Sequence, residues 1–266
     1  MSGYAVQVDG VQAYVGNGSS GVVADAPAVV FIHGAGMDHT VWALPARHFA
    51  RKGLRVVAPD LPGHGRSSAP ADGAPALASV GKMAAWIAKL LDALGIATAA
   101  VVGHSMGSLV AWRFACDHSK RCRALALLGT SMPMPVTDLL LDAAHDNHHA
   151  AIDMANAWSH STPGALGAND NPGLWMLAAG ERLLERSGPG VFHADLSACN
   201  GFRADESEVT CPALVIAGNE DRMTPAKAGL DVASHLPDAR VVRLDCGHAM
   251  LNERPNEVLD ALIGIV

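Results

Sequence analysis

The chain has 266 residues, half of them apolar, which is enough for one large domain with a full hydrophobic core. Its net charge of −7 argues against nucleic acid and anionic membrane surfaces as partners, and no apolar run reaches membrane-spanning length. The five cysteines are scattered without a CxxC spacing, and the N-terminus lacks the pattern of a signal peptide, so we expect a cytoplasmic protein.

Strands and helices alternate along most of the chain after an N-terminal hairpin. Asp9-Gly10 is typical of a two-residue hairpin turn, and apolar and polar residues alternate on both sides of it. The predicted strands are 4–8, 11–15, 28–32, 54–58, 98–102, 124–128, 213–217 and 240–244. The predicted helices of this part are 40–51, 80–94, 109–115, 225–235 and 252–266, with Ser79 as a cap and Gly95 as a stop. This alternation predicts a mostly parallel, eight-stranded α/β sheet with helices on both faces.

The pattern changes from Ser131 onward. Residues 137 to about 205 read as helices joined by Pro/Gly-rich loops, without a strand-like run. We therefore predict a core domain of residues 1–130 and 206–266, with a helical cap inserted at 131–205 above the carboxyl edge of the sheet. The cap is rich in large apolar side chains, which either form its own core or line an apolar substrate pocket. The residues expected to line the pocket are Met132, Met134, Trp158 and Trp175.

The segment Gly103-His104-Ser105-Met106-Gly107 fits the pattern G-x-S-x-G and connects a predicted strand to a predicted helix. A serine on such a tight turn is held in strained backbone geometry, and the residues two before and two after it must be small. The turn leaves the hydroxyl at the carboxyl edge of the sheet, near the next backbone N–H and the helix N-terminus. This context favours Ser105 as a nucleophile over an ordinary glycine-rich turn.

Titratable side chains follow the last two predicted strands. His248 lies next to Gly247 on the loop after the last strand, and with 13 histidines in the chain a loop histidine without a role is the alternative. Glu220 and Asp221 follow the preceding strand, and either carboxylate is a candidate to orient a catalytic imidazole. Asp245 is a third candidate, at a less favourable strand end.

Small residues follow the predicted strand 28–32 in the segment His33-Gly34-Ala35-Gly36. They let the backbone curl so that an N–H group faces the serine. His33 is expected to support this loop by hydrogen bonding. Residues 60–67, after the next strand, read as a structural turn beneath the site.

Four motifs, spread from His33 to His248, resemble those of α/β-hydrolases of the capped esterase and lipase-like superfamily, and they occur in the same order. They are the 33–36 segment, the serine turn around Ser105, the Glu220-Asp221 segment and the loop of His248. The resemblance implies the chain order nucleophile, acid, histidine, and therefore Ser105, Asp221 and His248 as the catalytic residues. It favours Asp221 over Glu220 because of the distance to Pro225. It covers nearly the whole core, and the cap is its least informative part.

The resemblance also implies an oxyanion hole formed by the backbone N–H groups of Ala35 and Met106, with Gly36 as the alternative to Ala35. The implied function is a serine hydrolase that cleaves a carboxylic ester of a small, largely apolar substrate through an acyl-enzyme. The alternatives are a C–C bond hydrolase, lactonase or lyase with the same triad, or a non-catalytic ligand-binding relative. Related dehalogenases and epoxide hydrolases carry aspartate where Ser105 stands.

The expected partner is a small-molecule ester, without nucleic acid or membrane insertion, and the oligomeric state stays open. No cofactor and no metal are expected. The one histidine-rich cluster has adjacent histidines that face different sides of a helix, and it offers no third ligand at a convincing spacing. It comprises His145, Asp146, His148 and His149. A solvated or pocket-lining cap helix is the favoured interpretation.

Overall fold

The computed structural model describes residues 1–18, 25–168, 175–205 and 208–266. In these ranges one sheet of eight strands has the order β1-β2-β4-β3-β5-β6-β7-β8. The first two strands pair antiparallel, β2 pairs antiparallel with β4, and the other neighbours are parallel. The strands are β1 Gly3–Val8, β2 Val11–Gly16, β3 Ala28–Ile32, β4 Arg55–Pro59, β5 Ala99–His104, β6 Cys122–Leu128, β7 Ala213–Gly218 and β8 Ala239–Leu244. The predicted fold class and all eight strands are confirmed.

The hairpin turn has the backbone that its sequence predicts. Asp9 and Gly10 have φ values of 52° and 79°. A type I′ turn requires positive φ at both central positions, which Asp and Gly tolerate better than other residues. The turn therefore fixes the register of β1 against β2.

Eleven α-helices occur in the described residues, and a 3₁₀ turn at His39–Trp42 precedes the first of them. They are α1 Ala43–Arg51, α2 Val80–Ala93, α3 Met106–Asp117, α4 Asp138–His145, α5 His149–Ser159, α6 Thr162–Ala165, α7 Met176–Glu185, α8 Val191–Gly201, α9 Ala226–Ser234, α10 Met250–Glu253 and α11 Pro255–Ile263. The single helix predicted at 252–266 is instead two helices. Arg254 between them lies outside the helical region (φ −133°, ψ 55°), because a residue before proline is disfavoured in that region. None of the described helices is long and apolar enough to cross a membrane.

Apolar side chains cover both faces of the sheet. Along β3, Val30 and Ile32 join a core cluster with α2 and α3, while Val29 and Phe31 join a second cluster with α1 and α11. Successive side chains of a strand point to opposite faces, so a continuous apolar strand needs helices on both sides. The sheet is therefore sandwiched, and its carboxyl edge is left for the loops that form the site.

Five of the helices, α4 to α8, lie between β6 and β7, and we call this segment the insertion. Its described part contains no strand and has a small apolar cluster of its own around Leu140 and Leu196. The domain bounds 1–130, 131–205 and 206–266 stay a prediction. Residue 206, where the second core segment is predicted to begin, lies outside the described residues.

Candidate active site

Ser105 occupies the sharp turn between β5 and α3. Its φ of 54° and ψ of −123° are strained for a residue with a side chain. Its N–H donates to the Leu128 carbonyl at 2.9 Å, which ties the turn to the end of β6. A Cβ on Gly103 would lie 2.0 Å from the Gly107 oxygen, and a Cβ on Gly107 would lie 2.2 Å from the Ile32 oxygen. Close backbone approach therefore requires both glycines.

His248 and Asp221 form a buried hydrogen-bonded pair. His248 Nδ1 lies 2.8 Å from Asp221 Oδ2. The N–H groups of Met223 and Thr224 donate to Asp221 Oδ1 at 2.8 and 2.7 Å, and the Thr224 hydroxyl donates to Oδ2 at 2.8 Å. Burial raises the pKa of the Asp221 carboxyl, but the charge and hydrogen bond of His248 and the bonds from Thr224 outweigh it and leave the pKa lowered. The carboxylate is therefore ionised and fixed against the Nδ1 side of the imidazole.

The other two candidate acids point elsewhere. Glu220 is exposed, and its Oε2 accepts the N–H of Thr162 at 3.4 Å. Asp245 Oδ1 accepts from the side-chain amide of Asn219 at 2.5 Å. In the part of the chain that the structure describes, neither carboxylate forms a hydrogen bond with His248.

His104 and Gly129 confine the ring of His248. His104 Nε2 donates to the His248 carbonyl at 2.9 Å, and the two ring centroids are 4.8 Å apart. Burial, followed by the charge of His248, lowers the pKa of His104 to about 3, so this neighbour is neutral. A Cβ on Gly129 would lie 3.0 Å from both Cε1 and Nδ1 of His248. A side chain at position 129 would therefore press against the ring of His248.

The loop after β3 makes a turn at residues 34–37, beside the serine. The Met37 N–H donates to the Gly34 carbonyl at 3.2 Å, and Gly36 has a φ of 66°. A positive φ at the third position is the pattern of a type II turn. The Gly36 N–H donates to Asp195 Oδ2 at 2.8 Å, and a Cβ on Gly34 would lie 3.2 Å from the Ser105 Cβ.

Two buried histidines lie beneath this turn. His33 Nε2 accepts the Leu61 N–H at 3.1 Å, and burial, followed by the charge of His64, lowers the pKa of His33 to about 4. His64 Nε2 donates to Asp195 Oδ2 at 2.7 Å. Burial alone lowers the pKa of His64, but the charge and hydrogen bond of Asp195 raise it overall. The predicted structural turn thus supplies a hydrogen-bond partner for Asp195 of the insertion.

An apolar cavity of about 120 Å³ lies between the sheet edge and the insertion, with Ser105, His248 and Ala35 in its wall. Arg222 is the one Lys or Arg side chain among its lining residues, which include no Asp or Glu. Its apolar wall is made mainly by Met134, Leu140, Trp158, Leu184, Phe192, Leu196 and Met223.

Two of the four predicted pocket residues lie in this cavity and two do not. Met134 and Trp158 are part of its wall. Met132 packs against the core and lines a separate depression with Trp112. Trp175 stands at the start of α7 with 71% of its surface exposed. Composition marks an apolar insertion, but the direction in which each helix faces decides which side chains reach the site.

Sequence reasoning assigned no contact to Glu253, which connects the His248 loop to the insertion. Its Oε1 accepts the N–H groups of Gly247 and Ser161, both at 3.1 Å, and the Ser161 hydroxyl donates to Oε2. The Ala249 N–H also donates to the Ser159 carbonyl at 2.7 Å. A glutamate two residues before a helix-breaking proline gives no sequence signal for such a link.

Two groups of side chains in the described residues have the chemistry to hold a cation, and both lie outside this cavity. One is Asp38, His39 and Asp60, and the other is His149, Asp153 and Glu181. In the first, Asp60 Oδ1 is already occupied by the N–H and Nδ1 of His39, both at 2.7 Å. In the second, His149 is half exposed. This second group shares one residue, His149, with the histidine-rich cluster noted in the sequence.

Comparison with known proteins decides the family. A sequence model described as the alpha/beta hydrolase fold matches residues 27–174, more than half of the chain. The chain belongs to this family. The predicted resemblance is thereby confirmed, together with its implication of a hydrolase of this fold.

Relatives align over nearly their whole length. A pimeloyl-[acyl-carrier protein] methyl ester esterase from Aromatoleum aromaticum is 32% identical over 87% of this chain and 94% of that protein. A putative carbamate hydrolase, RutD, from Escherichia coli O157:H7 is 28% identical over 90% of this chain and 91% of its own. The solved structure of Est816, described as an N-acyl homoserine lactone degrading enzyme, has a TM-score of 0.82 and 26% identity, covering 99% of this chain and 100% of that one.

Proposed function

We propose that this α/β-hydrolase is a serine carboxylesterase that cleaves an ester of a small, largely apolar substrate through an acyl-enzyme. The observation that carries the proposal is the buried Asp221–His248 pair, whose histidine lines the same cavity as the strained Ser105. Such a constellation activates a serine hydroxyl for acyl transfer. The proposed reaction uses no metal and no cofactor.

In the proposed mechanism Ser105 Oγ attacks the ester carbonyl carbon while His248 Nε2 takes its proton. Asp221 holds the Nδ1–H and stabilises the imidazolium that forms. The carbonyl oxygen becomes an oxyanion, which accepts hydrogen bonds from the N–H groups of Ala35 and Met106. The intermediate collapses, the C–O bond breaks, and His248 protonates the leaving alcohol. His248 then deprotonates a water molecule, which attacks the acyl-enzyme and releases the acid.

The backbone of the 34–37 turn supports Ala35 as the first oxyanion donor. The Gly36 N–H is engaged by Asp195 at 2.8 Å, so it is not free for a substrate oxygen. Met106 is the residue after the serine and begins α3, where N–H groups lack partners inside the helix.

We also propose that residues 131–205 act as the cap that selects the substrate. Most of the apolar wall of the cavity comes from the insertion, with Trp158 and Phe192 among its largest side chains. A wall of this composition favours an apolar acyl or alcohol group. A lactone is the second candidate substrate, because Est816 has a similar structure and is described as acting on lactones.

The direct test is covalent labelling with a fluorophosphonate together with hydrolysis of a panel of p-nitrophenyl esters, lactones and vinylogous diketones. We expect the wild type to label and to hydrolyse esters, and Ser105→Ala to lose both while keeping its circular dichroism and melting temperature. Activity retained in Ser105→Ala would refute the nucleophile. A wild type that neither labels nor hydrolyses any member would point to a ligand-binding relative.

A further inference from the structure

Asp195 is a fully buried carboxylate that the insertion contributes next to the 34–37 turn. It lies on α8, 159 residues after Gly36, and its side chain is 0% exposed. A single oxygen, Oδ2, accepts both the Gly36 N–H at 2.8 Å and His64 Nε2 at 2.7 Å. We propose that Asp195 is a positioning residue that holds the 34–37 turn in the conformation in which the Ala35 N–H binds the oxyanion. This inference rests on the proposed esterase function.

The geometry of the turn explains why a carboxylate is suited to this task. In a type II turn the peptide between the second and third residues, here Ala35–Gly36, is rotated by half a turn relative to a type I turn. A glycine at the third position permits both forms. The carboxylate attracts the N–H that the type II form presents and repels the Ala35 carbonyl oxygen that the flipped form would present. Asp195 therefore selects one of two accessible backbone conformations next to Ser105.

Two apolar side chains of the insertion also pack against Gly36 of the turn. A Cβ on Gly36 would lie 2.9 Å from Phe192 Cδ2 and 3.1 Å from Leu184 Cδ2. Phe192 is on the same helix as Asp195, three residues earlier. One helix thus supplies both the hydrogen bond that orients the peptide and the apolar contact that covers it. The position of α8 and the conformation of the turn are coupled.

One carboxylate oxygen of Asp195 accepts two hydrogen bonds and the other accepts none within the described part of the chain, which indicates a role beyond stability. Its other oxygen, Oδ1, is buried and has no hydrogen-bond partner among the described residues. A buried acceptor without a partner is unfavourable for the folded state. Packing alone would therefore not select a carboxylate at this position. The feature that an apolar side chain lacks is the acceptor shared by the Gly36 N–H and His64 Nε2.

The test compares Asp195→Ala and Asp195→Leu, which remove the acceptor, with Asp195→Asn, which keeps one carbonyl oxygen for Gly36 and His64. Asp195→Leu fills the space that Asp195→Ala leaves empty, in case the smaller side chain prevents folding. The control is Asn156→Ala, which removes another buried polar side chain of the insertion; its amide donates to the Leu177 carbonyl at 2.8 Å. For each variant we would measure kcat and KM on a p-nitrophenyl ester, the melting temperature, and the inhibition constant of an alkyl trifluoromethyl ketone.

The ketone reports on the oxyanion site directly, because Ser105 Oγ adds to its carbonyl carbon and the oxygen becomes negatively charged. Loss of one oxyanion donor costs about 10²–10³-fold in kcat, so a misplaced donor should cost about 10–100-fold in Asp195→Ala and Asp195→Leu. We expect a parallel loss of ketone affinity and a KM within about threefold of wild type, because the donor acts in the transition state. Asp195→Asn should stay within about threefold of wild type in kcat, in KM and in the inhibition constant of the ketone.

A purely structural role would lower the melting temperature and leave kcat and ketone affinity per labelled site unchanged. That outcome would overturn the inference, and so would an equal loss of ketone affinity in Asn156→Ala. The proposed function is tested separately, by labelling and ester hydrolysis of the wild type. If the wild type shows no fluorophosphonate labelling and no ester hydrolysis, the esterase assignment fails and the inference fails with it. Labelled, active wild type with unaffected Asp195 variants overturns the inference only.

Discussion

Replacing Asp221 with asparagine should give His248 the wrong tautomer. The N–H groups of Met223 and Thr224 both point at Oδ1, so the amide oxygen of asparagine has to occupy that position. The amide NH₂ then takes the place of Oδ2, 2.8 Å from His248 Nδ1. Because NH₂ donates, Nδ1 has to accept and the ring proton moves to Nε2. In that form Nε2 cannot take the proton of Ser105.

The expected loss in kcat lies between about 10²- and 10⁴-fold, which corresponds to about 2.7–5.4 kcal/mol of activation free energy. The upper bound is the cost of the same substitution in a well-studied Ser-His-Asp protease, about 10⁴-fold. The lower bound allows for a minor population of the correct tautomer on a different scaffold. The fold should persist, because both backbone hydrogen bonds to the Oδ1 position remain.

The matched control is Glu220→Gln, one residue away. Glu220 is exposed and makes one long contact, 3.4 Å to the Thr162 N–H, so its amide variant should lose less than about tenfold in kcat. Both variants would be assayed on one activated aryl ester, with melting curves to confirm folding. The reverse ranking would move the acid to Glu220. Two mild effects would refute the tautomer argument and place the acid on another strand.

Two further substitutions test the surroundings of His248. Gly129→Ala should lower kcat by about 10–100-fold, because its Cβ would lie 3.0 Å from the ring, whereas the control Gly73→Ala, with a similarly positive φ and no neighbour within 4 Å, should lose stability only. His104→Gln tests a buried neutral histidine. The pKa of His104 in the fold, about 3, lies below the ordinary 6.5, so the unfolded chain binds more protons between these values and stability falls as pH drops below 6.5. Denaturant unfolding should show that the loss between about pH 6.5 and pH 5 shrinks by about 1.5 kcal/mol in His104→Gln; an unchanged slope would contradict the neutral histidine. Equal losses of kcat in the two glycine variants would contradict the steric argument.

The core of the fold could be predicted because its signals are local. Alternating strands and helices are read from runs of about five to twelve residues, and the serine turn is marked by glycines whose missing side chains make room for the backbone. Where a local rule was overlooked, the prediction was wrong in a limited way. The C-terminal helix is broken at Arg254 because Pro255 follows it, and the proline was visible in the sequence.

The choice between neighbouring carboxylates lies at the limit of sequence reasoning. Glu220 and Asp221 follow the same strand, and no periodicity distinguishes them. Their hydrogen bonds differ in the structure. The N–H groups of Met223 and Thr224 both donate to Asp221, whereas Glu220 accepts one long hydrogen bond, from the N–H of Thr162.

Contacts between the insertion and the core could not be predicted, for a physical reason. An aspartate or glutamate on a helix is usually on the solvent side, so the sequence pattern of Asp195 or Glu253 favours an exposed residue. Both are instead buried, and each accepts hydrogen bonds from segments at least 92 residues away. Asp195 reaches the 34–37 turn, and Glu253 connects Ser161 of the insertion to the loop of His248. The same segment that lines the cavity therefore also holds the turn beside Ser105 and the loop of His248. A change in the insertion made to alter substrate choice should consequently alter kcat as well as KM, unless it leaves these two carboxylate links in place.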